Sequence, residues 1–336
     1  MNYCGIDLGS ESSAVCVEDQ SGKRIVEITV PTDEDGFRTR LGRLSAMTCV
    51  LEASPLAEWA AETLEGLGHE VVVIDPRRAK AVICTKKKTD RLDARKLAKM
   101  ARTGWYTAVH RKRGHARAIR SVLKARSGLV ATGTAQRSRI LGLLRAHGIK
   151  GSGLGGRDFE QKVMKRVAVR APELSPILEP LLRIWRQARQ EAEALTRQLE
   201  ELSRADATCR LLMSVPGVGP VVSAAYVATV DDPGRFQRSC QIPAYLGLVP
   251  SVHQSGETEY RGRITKEGDR LLRWLLVEAA NVLLTRTKRS CALKEWGLKL
   301  KAKKGMAKAR VAVARKLAVI LHRIWTTGEA FDWACA

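Results

Sequence analysis

Between Ala94 and Arg157 the chain runs for 64 residues with sixteen lysines and arginines and no aspartate or glutamate. No fold neutralises such a stretch from within, so it must display its cations on helix faces or hold them against a polyanion. Apolar residues at Ile119, Val122, Leu129, Ile140 and Leu143 are spaced for helices, with weak points expected at Gly128, Gly133 and Gly148. A second block, from Arg286 to Lys316, carries twelve lysines and arginines against the single acid Glu295. Over all 336 residues, 58 basic and 35 acidic side chains leave a formal charge of +23. A solvated surface is the alternative for either block, but a charge of this size makes nucleic acid the leading partner.

The length suits roughly two or three domains, each with its own core. Apolar runs such as Val71 to Ile74 are far shorter than the roughly 20 residues of a membrane-spanning helix, so no membrane association and a cytoplasmic location are expected. The eight cysteines (Cys4, Cys16, Cys49, Cys84, Cys209, Cys240, Cys291 and Cys335) include no Cys-x-x-Cys pair and read as free thiols.

The first part of the chain is α/β. Tyr3 to Leu8, Ala14 to Glu18, Arg24 to Val30, Thr48 to Glu52 and Val71 to Ile74 read as strands, and Pro55 to Leu67 as a helix between the last two. Three closely spaced strands, then a crossover and further strands, is the order expected of an RNase H-like (RuvC-like) mixed sheet. Further on, Leu178, Leu181, Trp185, Ala188, Ala192, Leu195, Leu199 and Leu202 alternate spacings of three and four, a heptad seam. It serves either packing within the subunit or pairing with another, the second being the more informative expectation. The resulting organisation is α/β plus α: a catalytic sheet domain over 1–108, a basic helical and coiled-coil region over 109–204, and a mainly helical domain over 205–336.

Several acids are out of place in this pattern. Asp7 sits mid-strand in Tyr3-Cys4-Gly5-Ile6-Asp7-Leu8-Gly9-Ser10, and Glu52 ends Thr48-Cys49-Val50-Leu51; a carboxylate in an otherwise apolar strand costs free energy unless a cation or hydrogen bonds satisfy it. In Lys88-Thr89-Asp90-Arg91-Leu92-Asp93-Ala94-Arg95, Asp90 and Asp93 fall three apart at a helix start, on one face. Converging carboxylates require cations, and hard oxygen ligands suit Mg²⁺ or Mn²⁺, ions that support in-line phosphoryl transfer. Taken singly, Asp90 is also explained as a helix cap and Glu52 as a surface residue.

Two later motifs add to this. Leu211-Leu212-Met213-Ser214-Val215-Pro216-Gly217-Val218-Gly219-Pro220 resembles a helix-hairpin-helix, in which Gly217 and Gly219 let backbone N–H groups approach a phosphate; an ordinary helical turn is the alternative. After Tyr245-Leu246-Gly247-Leu248-Val249-Pro250, a loop carries Ser251 and Ser255-Gly256, followed by Arg261, Arg263 and Lys266. A loop serine with nearby cations has the parts for attack on a phosphodiester. In the first basic stretch, Arg111, Arg113, Arg117 and Arg120 are the expected phosphate contacts. Trp105 and Tyr106 suit base stacking or core packing.

Together, Gly5-Ile6-Asp7, Leu51-Glu52-Ala53, Thr89-Asp90-x-x-Asp93-Ala94, Pro216-Gly217-Val218-Gly219 and Leu246-Gly247-Leu248-Val249-Pro250 followed by Ser255-Gly256 resemble the insertion-sequence transposases with a DEDD RuvC-like domain and a C-terminal serine transposase domain. These are also described as bridge-RNA-guided recombinases. The resemblance spans essentially the whole chain. It implies that Asp7, Glu52, Asp90 and Asp93 bind Mg²⁺ and that Ser255, rather than Ser251, forms a covalent phosphoserine link to DNA before strand exchange and religation. It further implies donor and target DNA and a structured guide RNA as partners, assembly of dimers into tetramers, and association with the nucleoid during activity. One departure is local: Glu52 is followed by Ala53-Ser54-Pro55 where the family has Ala-Thr-Gly.

Three other readings compete. A metal-only nuclease of the Holliday-junction-resolvase type would use water, leaving the serine incidental. An actin-like ATPase or sugar kinase would share Gly5-Ile6-Asp7-Leu8-Gly9-Ser10 but needs a second glycine-rich half that this chain lacks. A nucleic-acid chaperone would explain the charge and not the embedded acids.

Overall fold

A computed structural model describes residues 1–75, 89–255 and 258–333, with backbone alone at 253, 255, 258, 259 and 261. Lys88, Cys84, Cys335 and Gly256, named above, lie outside the described residues. The chain divides into two compact units, Met1–Arg111 and Lys112–Ala336.

The first unit is a five-stranded sheet of β1 (Asn2–Asp7), β2 (Ser12–Glu18), β3 (Arg24–Pro31), β4 (Met47–Glu52) and β5 (Glu70–Ile74), in the order β3-β2-β1-β4-β5. The first three strands are antiparallel neighbours, while β4 runs parallel to both β1 and β5. That is the mixed order expected from the sequence. α1 (Glu34–Arg40), capped by Asp33, makes the β3-to-β4 crossover, and α2 (Ala57–Gly66) joins β4 to β5.

Both sheet faces are covered, which is why the strands read as continuous apolar runs. Cys4, Ile6, Val15, Val17, Cys49 and Leu51 pack with α1 and α2. The alternate residues, among them Ala14, Cys16 and Val50, meet α3 (Asp90–Thr103) on the other face. At Gly5 the fit is backbone to backbone: a Cβ there would lie 2.1 Å from Ala98 N and 2.2 Å from Ala94 O. Arg95 donates twice to Glu27, at 2.8 and 3.0 Å, and ties α3 to β3. Cys4, Cys16 and Cys49 are buried free thiols, and burial pushes Cys16 up to about 11.

In the second unit α4 (Gly114–Ala146) and α6 (Ser175–Ala205) form a long antiparallel pair, with α5 (Phe159–Arg170) packed near its end. The expected breaks at Gly128 and Gly133 do not occur: α4 runs unbroken for 33 residues and ends only at His147, before Gly148 in the left-handed region. Gly133 lies beside the Trp185 ring of α6, where a Cβ would make only an ordinary contact at 3.9 Å. The heptad seam likewise turns inward. Leu178, Leu181 and Trp185 pack with Ile140 and Leu144 of α4, Leu181 only half-buried, and Leu199 packs with Ile119 and Leu123, so the seam's partner is a helix of the same chain.

The remaining helices are α7 (Ala207–Leu212), α8 (Pro220–Val230), α9 (Ile242–Tyr245), α10 (Arg270–Thr285), α11 (Ala292–Lys304) and α12 (Met306–Thr327), with a hairpin of β6 (Pro250–Ser255) and β7 (Thr258–Ile264). Every residue of α8 from Val222 to Val230 is buried, as befits a helix that is apolar all round. Among the described residues no helix is long and apolar enough to cross a membrane.

Candidate active site

Asp7 and Glu52 are the last residues of β1 and β4. The parallel register pairs Ile6 with Leu51, which sets the two acids side by side at the carboxyl edge of the sheet. Side chains alternate along a strand, and Gly5 and Val50, two residues back, both face α3. Asp7 and Glu52 therefore share that face. Ala94 packs against Ala14, the register partner of Asp7, so the first turn of α3 begins over the same edge and brings Asp90 and Asp93 there. The cap is Thr89, whose hydroxyl accepts from Leu92 N at 3.3 Å, and Asp90 is the first residue of the helix proper. Both aspartates sit where the helix dipole favours negative charge.

Asp7, Glu52 and Asp93 are half-buried and Asp90 is exposed. Asp93 accepts from Lys96 Nζ at 2.7 Å, an interaction one helical turn long that the sequence reading did not single out. Among the described residues, no three His, Cys, Asp or Glu side chains stand close enough to hold one metal ion. Asp93 is instead occupied by Lys96. The donor set is still the hard-oxygen kind that Mg²⁺ takes, an ion usually held by one or two carboxylates, waters and substrate phosphate. Asp7 and Glu52 fit that description as neighbours.

The serine motif is a β-hairpin rather than a loop. Ser255 is the last residue of β6 and pairs with Thr258 across the tip. Ser251, near the base, turns its hydroxyl toward Gly262, where a Cβ would come within 2.4 Å of Oγ. Arg263 and Lys266 are exposed. The glycines nearby are scaffold: a Cβ on Gly247 would lie 2.2 Å from Glu267 O, and one on Gly268 2.1 Å from Tyr245 O. Arg273 locks the same crossing by donating to Leu246 O at 2.9 Å and Glu267 O at 2.7 Å, a positioning role with no sequence signal beyond its charge.

The other expected phosphate contacts divide. Arg111 is spent on Glu58 and Glu65, and Arg120 on Asp269 at 2.8 Å and Thr229 at 3.2 Å, so these two brace the fold. Arg113 is exposed and Arg117 half-buried. Gly217 has φ +86° and lies against Ala279 O, so packing on α10 accounts for it, whereas nothing lies within 4 Å of a Cβ at Gly219, the cap of α8. Trp105 is 67% exposed and Tyr106 packs against the α3 core.

Comparison with known proteins places these features in one family. A model described as a transposase, of the DEDD type found in IS110 elements, matches residues 4–149, and one described as "Transposase IS116/IS110/IS902 family" matches residues 209–295. The chain is 30% identical over 332 residues to the transposase for insertion sequence element IS1111A of Coxiella burnetii, covering 97% of this chain and 90% of that protein. It is 31% identical over 283 residues to a "Probable family 20 transposase" of Pseudomonas aeruginosa, covering 81% of each, and 25% identical over 345 residues to the transposase for IS1328 of Yersinia enterocolitica, covering 98% of each. The chain belongs to the IS110/IS116 family of insertion-sequence transposases, enzymes that act on DNA.

Proposed function

We propose that this transposase is an RNA-guided DNA recombinase that cuts and rejoins strands through Ser255, assisted by a Mg²⁺ site of Asp7, Glu52, Asp90 and Asp93. The observation that carries the reading is the edge where Asp7 and Glu52 end adjacent parallel strands beneath the first turn of α3. The chemistry that Mg²⁺ supplies when held there, with Mn²⁺ as a substitute, is neutralisation of charge on a transferring phosphoryl group. Asp7 and Glu52 would hold it from the sheet and Asp90 and Asp93 from the helix, where Lys96 pairs with Asp93.

Ser255 Oγ attacks the phosphorus of a DNA strand. An O–P bond forms, the bond to the leaving nucleotide oxygen breaks, and that oxygen takes up a proton. Rejoining reverses the step with a hydroxyl of the partner strand as nucleophile, so the serine is regenerated. Arg261, Arg263 and Lys266 offset charge on the attacked phosphate, and Gly219 opens the N-terminus of α8 to a backbone phosphate in the helix-hairpin-helix manner. The +23 charge and the scarcity of base-reading motifs support delegation of sequence choice to a structured RNA that pairs with donor and target DNA. Resemblance to the family adds dimers joined into a tetramer, working at the nucleoid.

The test is a denaturing gel of protein, element-end RNA, labelled donor and target DNA and Mg²⁺. The wild type should give a protein–DNA adduct and joined strands, and both Ser255→Ala and Asp7→Asn should lose them. Cleavage that persists in Ser255→Ala without an adduct would replace this reading with a hydrolytic, resolvase-type nuclease.

A further inference from the structure

On α5 the positions that would ordinarily form an apolar stripe on a helix are cationic. Lys162, Lys165, Arg166, Val169 and Arg170 follow the i, i+3, i+4, i+7, i+8 spacing, while Phe159, Val163 and Val167 on the adjoining face fill the core. The stripe forms one wall of a cleft of about 580 Å³ whose other wall is the turn after α4, with Lys150 and Gly153. Five cations therefore line it, and no acid does. Two are partly committed: Lys162 pairs with Asp158 at 2.9 Å, and Arg166 donates to Lys150 O at 2.7 Å, which fixes the turn against the helix. Lys150, Lys165 and Arg170 are exposed and have no ion pair among the described residues, and Val169 beside them is 81% exposed.

We propose that this cleft binds the sugar-phosphate backbone of double-stranded nucleic acid, a site separate from the serine hairpin and the acidic edge. Lys162 and Arg170 are eight residue steps apart, about 12 Å of helix at 1.5 Å per residue. That length suits a short run of consecutive phosphates of one strand. No aromatic ring lines the cleft, so it offers nothing on which the bases of a single strand would stack. A second copy of this chain, at +23, would meet the cleft with like charge.

The test is binding of the full-length protein to a mixed-sequence duplex of about 20 base pairs, and to one of its strands, between about 50 and 200 mM salt. The comparison is wild type against Lys150→Gln/Lys165→Gln/Arg170→Gln, with melting temperature as the control for folding. The triple variant should bind the duplex more weakly, with a slope of log K against log salt shallower by about 0.9 for each cation removed, about 2.7 in all. An unchanged duplex slope overturns the proposal, and so does a change in oligomeric mass with unchanged binding. Equal loss on the single strand, about 0.7 for each cation, overturns the assignment to duplex. Because binding is read without strand cleavage, the outcome is independent of whether Ser255 forms an adduct.

Discussion

A carboxylate at the end of a buried strand needs a cation, a dipole or hydrogen bonds to satisfy it, and the amino end of α3 lies over Asp7. That closeness depends on Gly5. Replacing it with alanine sets a methyl within 2.2 Å of two backbone atoms of α3, so the helix must retreat from the sheet. Gly5→Ala should cost about 1–3 kcal/mol or more in a thermal melt and reduce strand transfer further than the stability loss explains; an unchanged melt would show that α3 is not seated on β1. Lys112 provides a pH signature. Burial lowers it to about 8, helped by Arg120 and Arg235 and opposed by Asp231 and Asp269. Between about 8 and 10.5 the unfolded chain then holds a proton that the folded chain does not, so the penalty is complete below 8 and fades as pH rises. The shift caps the effect near 3 kcal/mol, and partial exposure of the ammonium reduces it to about 1 kcal/mol. Relative to Lys112→Met, the wild type should gain that amount, about 2–4 °C, from pH 8 to 10; parallel curves would contradict the burial argument.

Among the elements, the strands of the first unit were legible because both faces are buried and the runs are therefore apolar throughout. α1 was not, since only Gly36 and Phe37 of its seven residues are buried and its remaining signal is the Asp33 cap. The two acids on strands were legible as anomalies. Lys96 and Arg273 were not, because their roles depend on which carboxylate or carbonyl the fold brings near. The α6 seam shows the limit of periodicity, which reveals an apolar stripe and not its partner: here the stripe meets α4. Trp185, with Phe159 at 5.0 Å and Gly133 behind it, anchors that contact. Trp185→Ala should destabilise the second unit by about 3–5 kcal/mol while leaving the assembled mass in sedimentation unchanged. Loss of assembly without loss of stability would assign the seam to a subunit interface instead.

At the scale of the whole molecule, the chain combines a mixed-sheet unit carrying the acids with a helical unit carrying the serine hairpin, under a single large positive charge. The charge pointed to nucleic acid without locating its contacts: Arg111 and Arg120 proved to be internal braces, while α5 supplies a cationic stripe outside the acid-free stretch. The proposed RNA guidance has no signal in residue pattern beyond the absence of obvious base readers, and rests on resemblance to the family. The central claim is covalent catalysis by Ser255, and peptide mapping tests it most directly. Wild-type protein is incubated with donor DNA, target DNA, element-end RNA and Mg²⁺, denatured, digested with nuclease and protease, and the nucleotide-bearing peptide is sequenced by mass spectrometry. A phosphodiester-linked nucleotide is expected on Ser255 and absent in Asp7→Asn; a nucleotide on Ser251, or cut DNA with none on any serine, would contradict covalent catalysis by Ser255.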